Sequence, residues 1–291
     1  VKIVVTRERE IEGFVAQRFY GATVTLNNGI KAALVTKDWC EEGSHIFDKE
    51  LVERIATTDL VKVVVAETKD RPTNPRKPFT TSTLQQAGSK VFKFNAAKTM
   101  KLAQALFEQG AITYHRTDSP NLSKEGFDQV VAYLNGKDLP AQEKQIKWES
   151  KENAQEAHEA VRPSNISNAD AGETPEQKQL YSLIRERTLI SAMKPAIDAV
   201  TTYKFEGVKT FEFNGKDLHP IFSVSGRVEK EKGWRQLALI EKVGKSADVI
   251  PAAVMKDEEH AVKCDLETKK TQPPGRFTEA TLIAQLEKEG I

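Results

Sequence analysis

The sequence predicts an α+β chain of more than one domain, in which a helical domain is inserted into a β-rich one. Three observations carry this. Strand-like patterns occupy the early part of the chain and return after residue 199, while capped helical patterns fill the stretch between them. A length of 291 residues suits roughly two domains. If the two strand-rich halves pair into one sheet, the helical block between them is an insertion.

The first residues read as a helix with Val4, Ile11, Phe14 and Val15 on one face. Residues 23–26 and 30–35 flank Asn27-Asn28-Gly29, a hairpin signal because Asn and Gly tolerate positive φ. Residues 60–66 are valine-rich and read as a strand. Residues 70–78 hold Pro72, Pro75 and Pro78, which favours an extended linker.

The helical block follows. Asn95 caps a helix with Met100, Ala103 and Phe107 on one face, stopped at Gly110. Ser123 caps another, with Phe127, Val130, Val131 and Leu134 at i, i+3, i+4 and i+7 before Gly136. Thr174-Pro175-Glu176-Gln177 is a capping box with proline at the first helical position. Its helix carries Leu180, Leu183, Ile184 and Ile190 and ends before Pro195. Strand signals then recur at residues 201–205, 210–213 and 221–228, and Thr278 caps a last helix with Leu282, Ile283 and Leu286.

Composition excludes several classes. Hydrophobic residues make up 39% and charged residues 29%, an ordinary globular balance. Cys40 and Cys264 form no CxxC pair, which argues against a disulfide scaffold or zinc ribbon and for a reducing, cytoplasmic location. No apolar run reaches the roughly 18 residues that span a bilayer, so no membrane partner is expected. Net charge is +1, but residues 69–101 carry eight basic residues against the single acid Asp70. That stretch reads either as a solvated face or as a phosphate-facing surface. Val1 in place of Met, and a last residue just past the helix-stop Gly290, read as the ends of a piece of a longer polypeptide.

Three clusters could carry chemistry. Residues 111–119 (AITYHRTDS) crowd a phenol, an imidazole, a guanidinium, a carboxylate and hydroxyls between a helix stop and the next cap. Loops held between helices are where site residues concentrate, although a packed turn with a surface Arg–Asp pair gives the same pattern. A tyrosine can form a covalent phosphorus intermediate. With a free pKa near 10, only on the order of one in a thousand is phenolate at pH 7, so it needs a base or a cation nearby. Arg116 has the planar fork that suits phosphate oxygens. In residues 150–164, His158 and Arg162 share a face if the segment is helical. A metal site, and with it a metal nuclease, on Glu156, His158 and Glu159 is weakly supported, because HExxH spacing is lacking. In residues 77–86, Thr80, Thr81, Ser82 and Thr83 can cap a helix or donate to phosphate.

Together these clusters resemble the type IA DNA topoisomerase family in its bacterial topoisomerase I branch. The matching stretches are 78–86 (PFTTSTLQQ), 111–119 (AITYHRTDS), 155–164 (QEAHEAVRPS) and 273–291 (PPGRFTEATLIAQLEKEGI), in the family's order and with similar separations. Residues 1–15 resemble a helix that follows the family's first gate segment, so the resemblance covers essentially the whole chain. It implies a toroid in which a β-rich arch holds the helical domain that carries the tyrosine. On that scheme residues 1–15 and 272–291 belong to a helical gate domain. Residues 16–72 and 200–271 form the discontinuous arch, and 73–199 the helical domain.

The resemblance also implies a reaction. The tyrosine cleaves single-stranded DNA through a 5′-phosphotyrosyl link with a free 3′-hydroxyl, and resealing reverses the step. In the whole enzyme, strand passage then relaxes negatively supercoiled DNA. Tyr114 corresponds to the nucleophile, with Arg116 and His158 as further catalytic residues. Thr80, Thr81, Ser82, Asp118, Ser119, Arg162 and Arg276 are the DNA-contacting set. His115 occupies a variable slot and receives no role. Implied partners are single-stranded and underwound DNA, an acidic N-terminal domain and a C-terminal DNA-binding region of the same protein. Mg²⁺ is expected on that acidic domain and no cofactor on these residues. The rival expectation is a module that contacts single-stranded DNA without turnover of its own.

Overall fold

A computed structural model describes residues 1–40, 43–149, 158–241 and 253–290. The elements run in the order α1 Lys2–Glu12, β1 Arg18–Leu26, β2 Lys31–Leu34, α2 Lys49–Ile55, β3 Leu60–Thr73, α3 Thr81–Phe92, α4 Ala96–Glu108 and α5 Lys124–Asn135. They continue with α6 Pro175–Ser191, β4 Ala196–Gly207, β5 Phe211–Phe213, β6 Lys216–Leu218, β7 Ile221–Glu231, β8 Glu259–Lys270 and α7 Glu279–Lys288. The chain divides into two compact units.

The first unit comprises Val1–Arg71, Asp198–Glu229 and Ser246–Arg276. Its strands close a barrel in the order β1-β2-β7-β4-β3-β8. Strands from before and after the helical block therefore interleave in one sheet, as the strand–helix–strand order predicts. β1 and β8 pair antiparallel from Arg18↔Lys270 to Leu26↔Val262. The period-two alternation buries Ala22, Val24 and Leu26 of β1 against Val61, Val63, Phe205 and Phe222. At the hairpin turn Gly29 adopts φ +86° and the Asn28 Oδ1 accepts the Ile30 N–H at 3.2 Å.

Three elements of this unit differ from the sequence expectation. Helix α2 was not predicted; Asp48 caps it by accepting the Leu51 N–H at 3.0 Å, and Leu51, Val52 and Ile55 fill the barrel core. β3 runs through Thr73, so part of the expected linker is strand, with its side chains exposed from Glu67 onward. β8 carries charged residues at alternate positions and no valine run, and its strand character comes from pairing with both β1 and β3.

The second unit comprises Pro72–Ile197, Lys230–Lys245 and Phe277–Ile291. The expected caps are present: Asn95, Ser123, Thr174 and Thr278 each accept a backbone N–H from the first helical turn. Thr80 does the same for α3. Helix α4 is rotated from its expected facing. Thr99, Leu102, Ala103 and Leu106 are buried, whereas Phe107 is exposed. The segment after β7 joins this unit through α6. Glu186 accepts the N–H groups of Leu239 (3.0 Å), Ile240 (2.9 Å) and Glu241 (3.2 Å), and Arg187 pairs with Glu241.

Residues 158–163 are not helical, which corrects the expected i, i+4 geometry of His158 and Arg162. The segment is extended, with Val161 bridged to Phe79 and Pro163 to Ile112. The backbone pairs laterally here, and Pro163 ends any helical continuation. Residues 150–157 of that cluster, Glu156 among them, lie outside the described residues.

Candidate active site

Helix α4 stops at Gly110, whose φ of +69° is the left-handed conformation that turns the chain. Ile112 is then buried, and Thr113 ties the next residues to the 158–163 segment. The Thr113 N–H donates to the Arg162 carbonyl at 2.9 Å, and its hydroxyl donates to the Ala160 carbonyl at 3.0 Å and accepts the Arg162 N–H at 3.0 Å. From Tyr114 to Ser119 exposure alternates. Tyr114, Arg116 and Asp118 are exposed; His115, Thr117 and Ser119 are buried. This is the period of extended backbone, and it turns three of the chemically capable side chains outward.

The loop is anchored from α3. The Thr81 N–H donates to the Thr117 carbonyl at 2.8 Å, and the Thr117 N–H donates to the Thr81 Oγ1 at 2.8 Å. The Thr81 hydroxyl also reaches the His115 carbonyl at 2.9 Å. Two consecutive threonines therefore divide the work: Thr80 caps α3 and Thr81 holds the tyrosine loop.

Tyr114 sits among rings. Phe107 meets it edge-on with centroids 5.4 Å apart, His115 at 5.5 Å, and His158 at 5.5 Å with a 50° tilt. The structure thus joins the tyrosine and histidine clusters. His115 is 1% exposed, and among the described residues neither ring nitrogen has a hydrogen-bond partner. Burial, and then the neighbouring Arg116 charge, holds its imidazole below the usual range, so the ring is neutral at pH 7. Among the described residues Arg116 and Asp118 form no ion pair, so a mutual Arg–Asp pair does not neutralise the exposed side of the loop.

Several expected DNA-contacting side chains have other tasks. Thr80 and Ser119 are buried; the Thr80 hydroxyl caps α3, and the Ser119 hydroxyl accepts the Asn121 N–H at 3.3 Å. Ser82 donates to Glu287. The first turn of a helix leaves N–H groups that need acceptors, and these hydroxyls meet that need or hold the neighbouring chain. Arg162 is clasped by Glu159 through Nε–Oε2 and Nη2–Oε1 bonds, both 2.8 Å, and its Nη1 donates to the Pro163 carbonyl at 2.9 Å. A Cβ on Gly126 would lie 2.6 Å from the Arg162 Nε, so glycine there makes room for the guanidinium. Glu159 also accepts the Ser123 N–H at 2.9 Å. Burial raises its pKa, but the Arg162 and Ser123 bonds together hold it below the usual carboxylate range. Arg276 belongs to the barrel unit and pairs there with Glu8 at 3.0 Å.

The basic stretch is partly neutralised. Lys69 pairs with Glu67, Arg76 with Glu241, and Lys98 with Glu176. Among the described residues no three His, Cys, Asp or Glu side chains converge to hold a metal ion. The position of Glu159 beside Arg162 was legible in the sequence, and the structure shows them paired; Phe107, placed by the sequence on a buried face, is exposed.

The profile of the DNA topoisomerase family matches residues 1–291. The chain belongs to that family, in its bacterial type IA branch. DNA topoisomerase 1 of Vibrio cholerae is 36% identical over 304 residues, covering 100% of this chain and 33% of the relative. DNA topoisomerase 1 of Escherichia coli is 36% identical over 309 residues, covering 100% and 34%. The structure of full-length topoisomerase I from Thermotoga maritima superposes with a TM-score of 0.73 at 27% identity, covering 100% of this chain and 47% of that one. The chain thus spans between a third and a half of the length of these type IA relatives. Among the described residues no helix is long and apolar enough to cross a membrane.

Proposed function

We propose that this chain is the strand-cleaving region of a type IA topoisomerase and that Tyr114 is its nucleophile. The observation that carries the reading is the outward-facing Tyr114, with His158 5.5 Å from its ring and the exposed Arg116 two residues on, in a loop pinned by Thr81. The phenolic oxygen bonds to a backbone phosphorus of single-stranded DNA and the bond from phosphorus to the 3′-oxygen breaks. The phenol loses a proton and the 3′-oxygen takes one up. The products are a 5′-phosphotyrosyl link and a 3′-hydroxyl, and resealing runs the same steps backward without ATP. In the whole enzyme the transient break lets a strand pass and relaxes negative supercoils.

Arg116 supplies a charge-assisted bond to the phosphoryl oxygens as charge builds on them. His158 borders the phenol and takes part at the phosphate or in proton transfer. Glu159 is held ionised by Arg162 and makes a poor proton donor. Arg162, Thr81, Thr80, Ser82 and Ser119 act by positioning; the exposed Asp118 is assigned to the strand's path. Type IA enzymes use Mg²⁺; the described residues offer no donor set for it, so no step above passes through the metal. We assign it, together with the missing proton-transfer group, to an acidic N-terminal domain that partners this chain. Residues 1–15 and 272–291 are assigned to a gate domain, 16–72 and 200–271 to an arch and 73–199 to the tyrosine domain. Arg276 is assigned to DNA contact, and the site of action is the cytoplasm.

The test is incubation of the chain with end-labelled single-stranded DNA, with and without an acidic N-terminal domain of the family. A covalent protein–DNA adduct is expected with that domain present and absent from Tyr114→Phe. Loss of adduct only on mutation of another residue would overturn the assignment.

A further inference from the structure

Phe107 lies in the last turn of α4 beside the proposed nucleophile, with its ring 5.4 Å from that of Tyr114 at an interplanar angle of 67°. The two rings remain 37% and 39% exposed. The buried stripe of α4 is completed by Leu102, Ala103 and Leu106 without Phe107. Behind the pair His115 is buried, 5.8 Å from Phe107, so the aromatic cluster has a packed side and an open side. His158 is also exposed, 5.5 Å from Tyr114, and Arg116, two residues on, is exposed without an ion pair among the described residues.

Exposed rings on and beside a loop that also presents an exposed arginine are a combination that binds single-stranded nucleic acid: the cation meets the backbone and the π-face takes a base. The place is constrained further. The intact diester that Tyr114 attacks joins one nucleotide on each side of its phosphorus, and each base lies a single sugar away. A strand melted for cleavage has lost its stacking neighbours, and Phe107 presents an exposed hydrocarbon ring beside Tyr114.

We propose that Phe107 is a nucleobase-stacking subsite for a nucleotide that flanks the scissile phosphate. The subsite rests on the reading of Tyr114 as nucleophile, and it explains a phenylalanine held at the surface. Stacking is tolerant of base identity, so the subsite strengthens binding near the cleavage point and sets register without a strong sequence preference.

The test is a residue-by-base cycle. The chain, combined with the acidic domain, is titrated with single-stranded oligonucleotides that carry one cleavage site, either intact or with a single abasic nucleotide on one or the other side of that site. On the intact strand Phe107→Ala and Phe107→Leu should weaken binding roughly ten- to hundred-fold, and Phe107→Trp should restore it. With the abasic nucleotide at the matched position, all four proteins should bind alike. Equal losses on intact and abasic strands, or no loss on Phe107→Leu, would overturn the subsite. Leu keeps the apolar side chain, so a folding defect in the Ala variant alone does not decide the matter. Adduct formation by the unmodified protein on the intact strand reports on Tyr114 separately; its absence would remove the parent reading and the subsite with it.

Discussion

Thr81 and Thr117 are bound to each other in both directions, each backbone N–H satisfied by the other residue at 2.8 Å. The first turn of α3 thereby sets the path of the loop that presents Tyr114. The Thr81 hydroxyl is the acceptor in one of those bonds. Thr81→Ala should destabilise the fold by about 1–2 kcal/mol, since it leaves the Thr117 N–H short of its partner. It should also slow adduct formation, with Thr81→Ser recovering both. Denaturant titration beside single-turnover cleavage checks this; normal cleavage by the Ala variant would count against the anchoring role.

Arg116 is exposed and without an ion pair among the described residues, so its removal leaves no buried charge behind. Arg116→Ala should lower the cleavage rate about 10²–10³-fold with little change in stability. Arg116→Lys should recover only part, because an ammonium lacks the planar fork. Rapid-quench measurement of the adduct separates the variants.

Glu159 predicts an acid-sensitive contribution. Its carboxyl titrates lower in the folded chain than the reference value of 4.5, after the Arg162 and Ser123 bonds outweigh burial. A depressed folded pKa contributes stability that is present above the unfolded value and lost as pH falls through the folded one. Glu159→Gln should therefore cost stability at pH 7 and flatten the pH dependence below about 4.5. Urea midpoints at pH 7 and at stepped acid pH values test it. An unchanged acid slope would show that the pair is not coupled to folding.

His115 should show opposite effects on stability and on function. Its imidazole is buried with no partner for either nitrogen among the described residues, a state that costs about 1–3 kcal/mol for an unmet polar group. Its folded pKa is also lowered, so stability is lost as pH drops below about 6.5, where the unfolded ring takes up a proton. His115→Leu should raise the melting temperature and remove that part of the pH dependence. If the ring also orients Tyr114, the variant should slow adduct formation although it folds better. A variant that is less stable at pH 5.5 than the parent would contradict the burial argument.

What was legible in the sequence was mostly local. The caps Asn95, Ser123, Thr174 and Thr278 and the Asn28–Gly29 turn each depend on a side chain and the few backbone groups beside it, so a short window contains the whole interaction. The tyrosine motif could be read for the same reason, since its residue types and order survive without coordinates. The strand–helix–strand order likewise implied one interleaved sheet. Other features belonged to the tertiary structure. Residues 158–163 are extended because Phe79 and Ile112 offer lateral pairing from distant parts of the chain. β8 is a strand because β1 and β3 flank it, not because of its own composition. The assignment of Arg162 to Glu159, of Thr81 to Thr117 and of Phe107 to the surface turned on which groups packing had already satisfied. A hydroxyl or guanidinium is free to meet DNA only if the fold has not claimed it first, and that depends on contacts between segments far apart in sequence.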